Sequence, residues 1–164
     1  MQLYDKDLLS MQEVRELVEA AKEAQQELAN MTQSQVDHIV RAIADAGVRN
    51  ARRLAEMANE DTGFGKVEDK IIKNIFGSRG VYEYIKDMKT VGELERDDVK
   101  KVRTIAVPMG VVAGLIPSTN PTYTTHYKAE IAIKAGNANV LYPHPTALRC
   151  ILETVKVIRQ AIAE

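Results

Sequence analysis

The chain has 164 residues, 45% hydrophobic and 27% charged, and carries a net charge of −1. That length suits one domain with a real core, and the composition is too apolar for disorder and too balanced in charge to favour nucleic acid. The lone cysteine, Cys150, excludes an internal disulfide and a multi-cysteine metal site, so no metal is expected. No apolar run reaches the roughly 18 residues of a membrane span, and the N-terminus is too charged for a secretory leader. The expectation is a cytoplasmic protein with no membrane partner. Charge is uneven along the chain: residues 1–103 hold 17 Lys and Arg against 20 Asp and Glu, residues 104–164 only five against three.

The first half reads as helical. Ser10 with Glu13 matches a capping box, and Val14, Leu17, Val18, Ala21, Ala24 and Leu28 make one apolar stripe over residues 10–29. Thr32 with Gln35 repeats the signal ahead of a longer helix that stops near Gly63-Phe64-Gly65, with Gly47 as a possible break. A third helix is predicted from about Val67 to Met88, with Gly77 and Gly80 as weak points. None of these segments carries obvious chemistry.

The pattern changes after residue 90. Val99 to Val107 alternates charged and β-branched residues, as a half-exposed strand does, and residues 91–107 are assigned as an edge strand suited to oligomerisation. Val111 to Ile116 reads as a fully buried strand. Asn120-Pro121 then marks a helix start, and Gly136-Asn137 its end. Asn139 to Tyr142 is a second strand, and Thr146 to Ala163 a final helix that buries Ala147, Ile151, Val155, Ile158 and Ile162. The fold class is therefore α/β: N-terminal helices (residues 1–90), then a parallel βαβα unit (residues 108–164) that is part of a Rossmann-like, incomplete sheet.

In such sheets ligands bind outside the carboxyl ends of the strands. That places Ile116, Pro117, Ser118 and Thr119 in one candidate loop, with Tyr142, Pro143, His144 and Pro145 in the neighbouring one. Asn120 has two possible uses: its carboxamide caps the helix, or it donates to an oxyanion as a carbonyl becomes tetrahedral. Both uses need the same amide. No Gly-x-Gly-x-x-Gly, phosphate-loop or Gly-x-Ser-x-Gly pattern is present. His38 and His126 are expected to be solvated or capping, and His144 lacks an acidic partner nearby in sequence. Cys150, one turn into the last helix, is expected to pack rather than react.

The run Val107-Pro108-Met109-Gly110-Val111-Val112-Ala113-Gly114-Leu115-Ile116-Pro117-Ser118-Thr119-Asn120-Pro121-Thr122 resembles the aldehyde dehydrogenase superfamily. Together with Lys134-Ala135-Gly136-Asn137-Ala138 and Pro143-His144-Pro145-Thr146-Ala147, it resembles the N-terminal portion of the coenzyme A-acylating branch, the acetaldehyde dehydrogenases. That resemblance implies NAD as cofactor, coenzyme A as co-substrate, a small-molecule aldehyde as substrate and a homo-oligomer. It also implies that Asn120 helps hold the oxyanion, that residues 116–119 and 142–145 line the cofactor cleft, and that the nucleophilic cysteine belongs to sequence downstream of Glu164, leaving these residues inactive alone. Two departures stand out: Tyr142 is bulkier than the small residue expected, and Thr124, Thr125 and His126 make the helix start unusually polar. A hydrolytic aldehyde or semialdehyde dehydrogenase, or a truncated assembly partner, are the alternatives.

Overall fold

A computed structural model describes residues 5–163. Helix α1 (Lys6–Leu28) starts earlier than the Ser10 signal predicts, because Asp5 accepts from the N–H groups of Asp7 and Leu8 and caps it, leaving Ser10 inside the helix. None of its residues is buried, so the predicted stripe faces outward at Val14, Leu17 and Val18. The Thr32–Gln35 capping box is present and opens α2 (Gln33–Arg49). The long second helix breaks at Asn50 rather than at Gly47, and α3 (Ala51–Thr62) ends on Gly63 at φ 67°, where a glycine relieves the left-handed strain.

The third predicted helix is also divided. Helix α4 (Val67–Ile75) runs into a π-helical turn (Phe76–Gly80) and then α5 (Val81–Ile85). The turn falls on the two glycines flagged as weak points. A Cβ on Gly77 would collide with the Tyr123 ring, so the wider turn brings this backbone against the next helix. The edge segment is a hairpin rather than one strand: β1 (Gly92–Asp97) pairs antiparallel with β2 (Val102–Ala106). Asp97 makes the reversal, its Oδ1 accepting from the N–H groups of Val99 and Lys100.

The predicted βαβα unit is present. Strand β3 (Val111–Ile116), α6 (Pro121–Lys134), β4 (Ala138–Pro143) and, after a short 3-10 turn at Pro145–Ala147, α7 (Leu148–Ala163) follow in order. The two strands pair parallel from Val111↔Ala138 to Ile116↔Pro143. Helices α2, α6 and α7 pack on one another around Val40, Ile43, Ala129, Val157 and Ile158, while Ile116 joins Ala58, Ala147, Cys150 and Ile151 beneath the sheet. The buried face of α7 runs through Cys150, Ile151, Thr154, Val157, Ile158 and Ala161, so the predicted Ile162 faces outward. Strand β3 is not fully buried: Gly114 and Ile116 are, but Leu115 stays 68% exposed beside its ladder partner Tyr142. Helix α1 lies near the two strands, its Gln25 donating to the Gly136 carbonyl at 3.1 Å, but it leaves Leu115 in solvent. No helix among them is long and apolar enough to cross a membrane.

Candidate functional site

The chain leaves β3 at Ile116, turns through Pro117–Asn120 and enters α6 at Pro121. The neighbouring strand leaves at Pro143, and the N–H of His144 donates to the Ile116 carbonyl at 3.0 Å. The two predicted loops therefore meet at one edge of the sheet. Pro117 and Thr119 are exposed there and Ser118 is half-buried, while Tyr142 and His144 are exposed on the other side. The backbone of α6 begins at this edge, and its first-turn N–H groups carry the positive end of the helix dipole toward it.

Asn120 does not cap α6 with its side chain. Its Oδ1 instead accepts from Lys73 Nζ of α4 at 3.2 Å. An ammonium can only donate, so the atom facing it is the carbonyl oxygen. The Nδ2 group then faces away from Lys73 and makes no hydrogen bond among the described residues. The competition between cap and free donor is thus resolved against the cap.

Helix α4 backs this loop at two further points. Lys70, only 5% exposed, donates from Nζ to the Thr119 carbonyl at 3.2 Å. Burial, reinforced by the charge of Lys73, holds its amine below the ordinary lysine range. Asn74 accepts from the Thr122 hydroxyl at 2.8 Å and donates to the Ala51 carbonyl at 3.0 Å. Sequence reasoning missed all three residues because it followed the isoleucines. The buried stripe of this segment runs instead through Lys70, Asn74 and Ser78, while Ile72 and Ile75 face outward. Polar residues four apart were the available signal.

Other motif residues serve structure. Lys134 is buried and ion-paired to Asp37 at 2.6 Å, also donating to the Lys86 carbonyl. Asn137 Oδ1 accepts from the Gly110 N–H at 3.0 Å, tying the end of α6 to the start of β3. Gly136 takes φ 73° as a helix-ending residue should.

The profile of the aldehyde dehydrogenase family matches residues 3–163. This chain belongs to the aldehyde dehydrogenase family. A solved probable aldehyde dehydrogenase from Listeria monocytogenes EGD-e is similar at 62% identity and TM-score 0.94, over 97% of this chain and 35% of that one. An acetylating aldehyde dehydrogenase from Geobacillus thermoglucosidasius is similar at 53% identity and TM-score 0.93, over 98% and 36%. Among curated proteins, the bifunctional aldehyde-alcohol dehydrogenase AdhE of Escherichia coli (strain K12) is 44% identical over 91% of this chain and 17% of its own length. The chain therefore spans about a third of these solved relatives and about a sixth of AdhE. The resemblance to the acetylating branch holds.

Within this aldehyde dehydrogenase chain one histidine reads differently in three dimensions. His126 is neither solvated nor capping: it is 3% exposed, packed against Gly47 and Ser78, and its Nε2 has no partner. Burial lowers its pKa to about 4, so it is neutral. His38 is exposed, as expected. The ring of His144 accepts at Nδ1 from the Thr146 N–H at 3.2 Å, which places the proton of the neutral ring on Nε2. Cys150 is fully buried, and burial together with the Asp61 carboxylate pushes its thiol up to about 12. Burial and the neighbouring carboxylate outweigh the charge of Lys70, so it lacks the accessible, activated setting of a reactive thiol.

Proposed function

We propose that this chain forms the aldehyde-oxidising half-site of a coenzyme A-acylating aldehyde dehydrogenase, in which aldehyde, coenzyme A and NAD⁺ give acyl-CoA, NADH and a proton. The observation that carries this reading is the uncommitted Nδ2 of Asn120, held at the sheet edge where ligands of α/β folds bind. The acetylating relatives supply the reaction class. The chain's own residues supply the following steps.

The loop edge suits a nucleotide: the first turn of α6 is left uncapped by Asn120, and the hydroxyls of Ser118, Thr119 and Tyr142 offer partners for phosphate and ribose oxygens. In this reading Ile116, Pro117, Ser118 and Thr119 form one wall, and Tyr142, Pro143, His144 and Pro145 the other, with two prolines stiffening it. When bound, NAD accepts the hydride and coenzyme A accepts the acyl group. Asn120 donates from Nδ2 to the aldehyde oxygen as attack on the carbonyl carbon places negative charge there, a contribution of a few kcal/mol for one such donor, about 3. The attacking thiol is not Cys150, which sits protonated in the core. It comes from sequence outside these residues, and the 164 residues alone do not turn over. The hairpin β1–β2, which exposes Val102 and Ile105, serves subunit pairing in a homo-oligomer.

The test is Asn120→Ala in the complete enzyme. Turnover should fall by roughly 10²-fold with an unchanged thermal midpoint. Turnover equal to wild type would reduce Asn120 to a turn residue and end this reading. Running the same assay without coenzyme A separates the acylating reaction from hydrolysis: NADH formed at an undiminished rate would select the hydrolytic alternative.

A further inference from the structure

We infer that Lys73 is a positioning residue for catalysis, acting through Asn120 by fixing which end of the carboxamide is presented to the substrate. The inference rests on the oxyanion role proposed above for Asn120. It begins from a local conflict. Asparagine directly before a helix is among the strongest N-caps, and its oxygen ordinarily turns to accept from the N–H groups of the first turn. In that orientation the carboxamide is committed to its own helix. Here the cap is absent, and Oδ1 points to Lys73 instead.

A charged donor wins that competition because hydrogen bonds to an ionised group are roughly twice as strong as neutral ones. The consequence is directional. With Oδ1 held by a cation that has no acceptor capacity, Nδ2 is the only group left to face a ligand. The cation also draws electron density toward Oδ1, which strengthens the N–H donors at the other end. Hence one lysine both selects the donor end of Asn120 and sharpens it.

The neighbouring contacts make the arrangement rigid. Lys70 holds the carbonyl of Thr119 just before Asn120, and Asn74 holds the hydroxyl of Thr122 just after Pro121. Helix α4 thus grips residues 119, 120 and 122 from a single face, Lys70, Lys73 and Asn74 lying within one turn of each other. Neither lysine is ion-paired to a carboxylate among the described residues. Their charge is therefore directed at the loop, where the reaction places negative charge on oxygen, and buried Lys70 is poorly screened.

The experiment is a double-mutant cycle in the complete enzyme: Lys73→Met, Asn120→Ala, both together, and Lys73→Arg. Loss of the charged donor should lower kcat about tenfold while KM for NAD⁺ moves less than about twofold, since the affected contact forms only as charge develops. Lys73→Arg, which keeps a cationic donor, should retain most of the turnover. In the Asn120→Ala background, Lys73→Met should add no further loss. A purely structural lysine would not give this masking. If Lys73→Met aggregates, Lys73→Gln, with a neutral donor, should fall between Met and wild type. Equal losses from Lys73→Met in the wild-type and Asn120→Ala backgrounds would overturn the inference while leaving Asn120 catalytic. An Asn120→Ala enzyme as fast as wild type would instead remove the reading on which it rests.

Discussion

The backbone of Gly47 in α2 runs directly against the imidazole of His126 in α6: a Cβ added to Gly47 would lie 2.5 Å from His126 Cδ2 and 2.6 Å from Ser78 Cβ. Three elements, α2, α6 and the π-helical turn, converge on that missing side chain. Ala is the better helix former by about 1 kcal/mol, so on an isolated helix Gly47→Ala would stabilise. Here the new methyl meets a ring and a Cβ that sits next to the backbone, neither of which can swing aside. Overpacking of this kind costs about 1–3 kcal/mol, more than the propensity gain. Gly47→Ala should therefore lower the thermal unfolding midpoint, and a rise would show that α2 and α6 are further apart than this.

One turn beyond His126, Glu130 is fully buried with neither carboxyl oxygen hydrogen-bonded. Burial raises its pKa from 4.5 to about 9, so it is protonated in the fold at neutral pH. The stability linked to Glu130 is whole below about pH 4.5 and declines as pH rises toward 9. His126 has the opposite sign: its folded pKa of about 4 lies under the ordinary 6.5, so its contribution is whole above 6.5 and declines as pH falls toward 4. Each slope is about 1.4 kcal/mol per pH unit. Between pH 4.5 and 6.5 the two cancel, and above 6.5 only the Glu130 decline remains. Glu130→Gln should abolish that decline, and below 6.5 it should reveal a rise with pH due to His126. Denaturant midpoints at pH 5, 7 and 9 measure this. Parallel pH profiles for wild type and variant would refute it.

These residues also explain what the sequence made legible and what it hid. The βαβα unit was readable because Asn120-Pro121 and Gly136 punctuate α6 where backbone chemistry demands it, and because the strands are short apolar runs. The meeting of the two loops at one sheet edge follows directly from parallel pairing. Hidden was the inner face of α6, where Thr122, His126, Glu130 and Lys134 recur every fourth residue and all are buried. A reading that equates buried with apolar cannot find such a face. The same assumption placed Leu115 and the outer part of the α1 stripe inside, although Leu115, Val14, Leu17 and Val18 are exposed. The partners of Asn120 were unreadable for a different reason: Lys70, Lys73 and Asn74 lie about fifty residues upstream, and only tertiary packing brings them to the loop.

Cys150 allows a last separation of packing from chemistry. Its Sγ donates to the Ala147 carbonyl at 3.3 Å, and its side chain fills the space among Ala58, Ile116, Ala147 and Ile151. The Asp61 carboxylate accepts from its backbone N–H at 2.7 Å and from Arg149 Nε at 2.8 Å, an anchor between α3 and the first turn of α7 built on the backbone and the guanidinium. Cys150→Ala therefore removes one buried sulfur and leaves the anchor intact, at a stability cost of about 1 kcal/mol. Turnover of the complete enzyme should stay within about twofold of wild type, because a thiol with pKa near 12 presents almost no thiolate at neutral pH. Loss of all activity in a folded Cys150→Ala enzyme would mean that the core rearranges to expose this sulfur, and the nucleophile would have to be sought here.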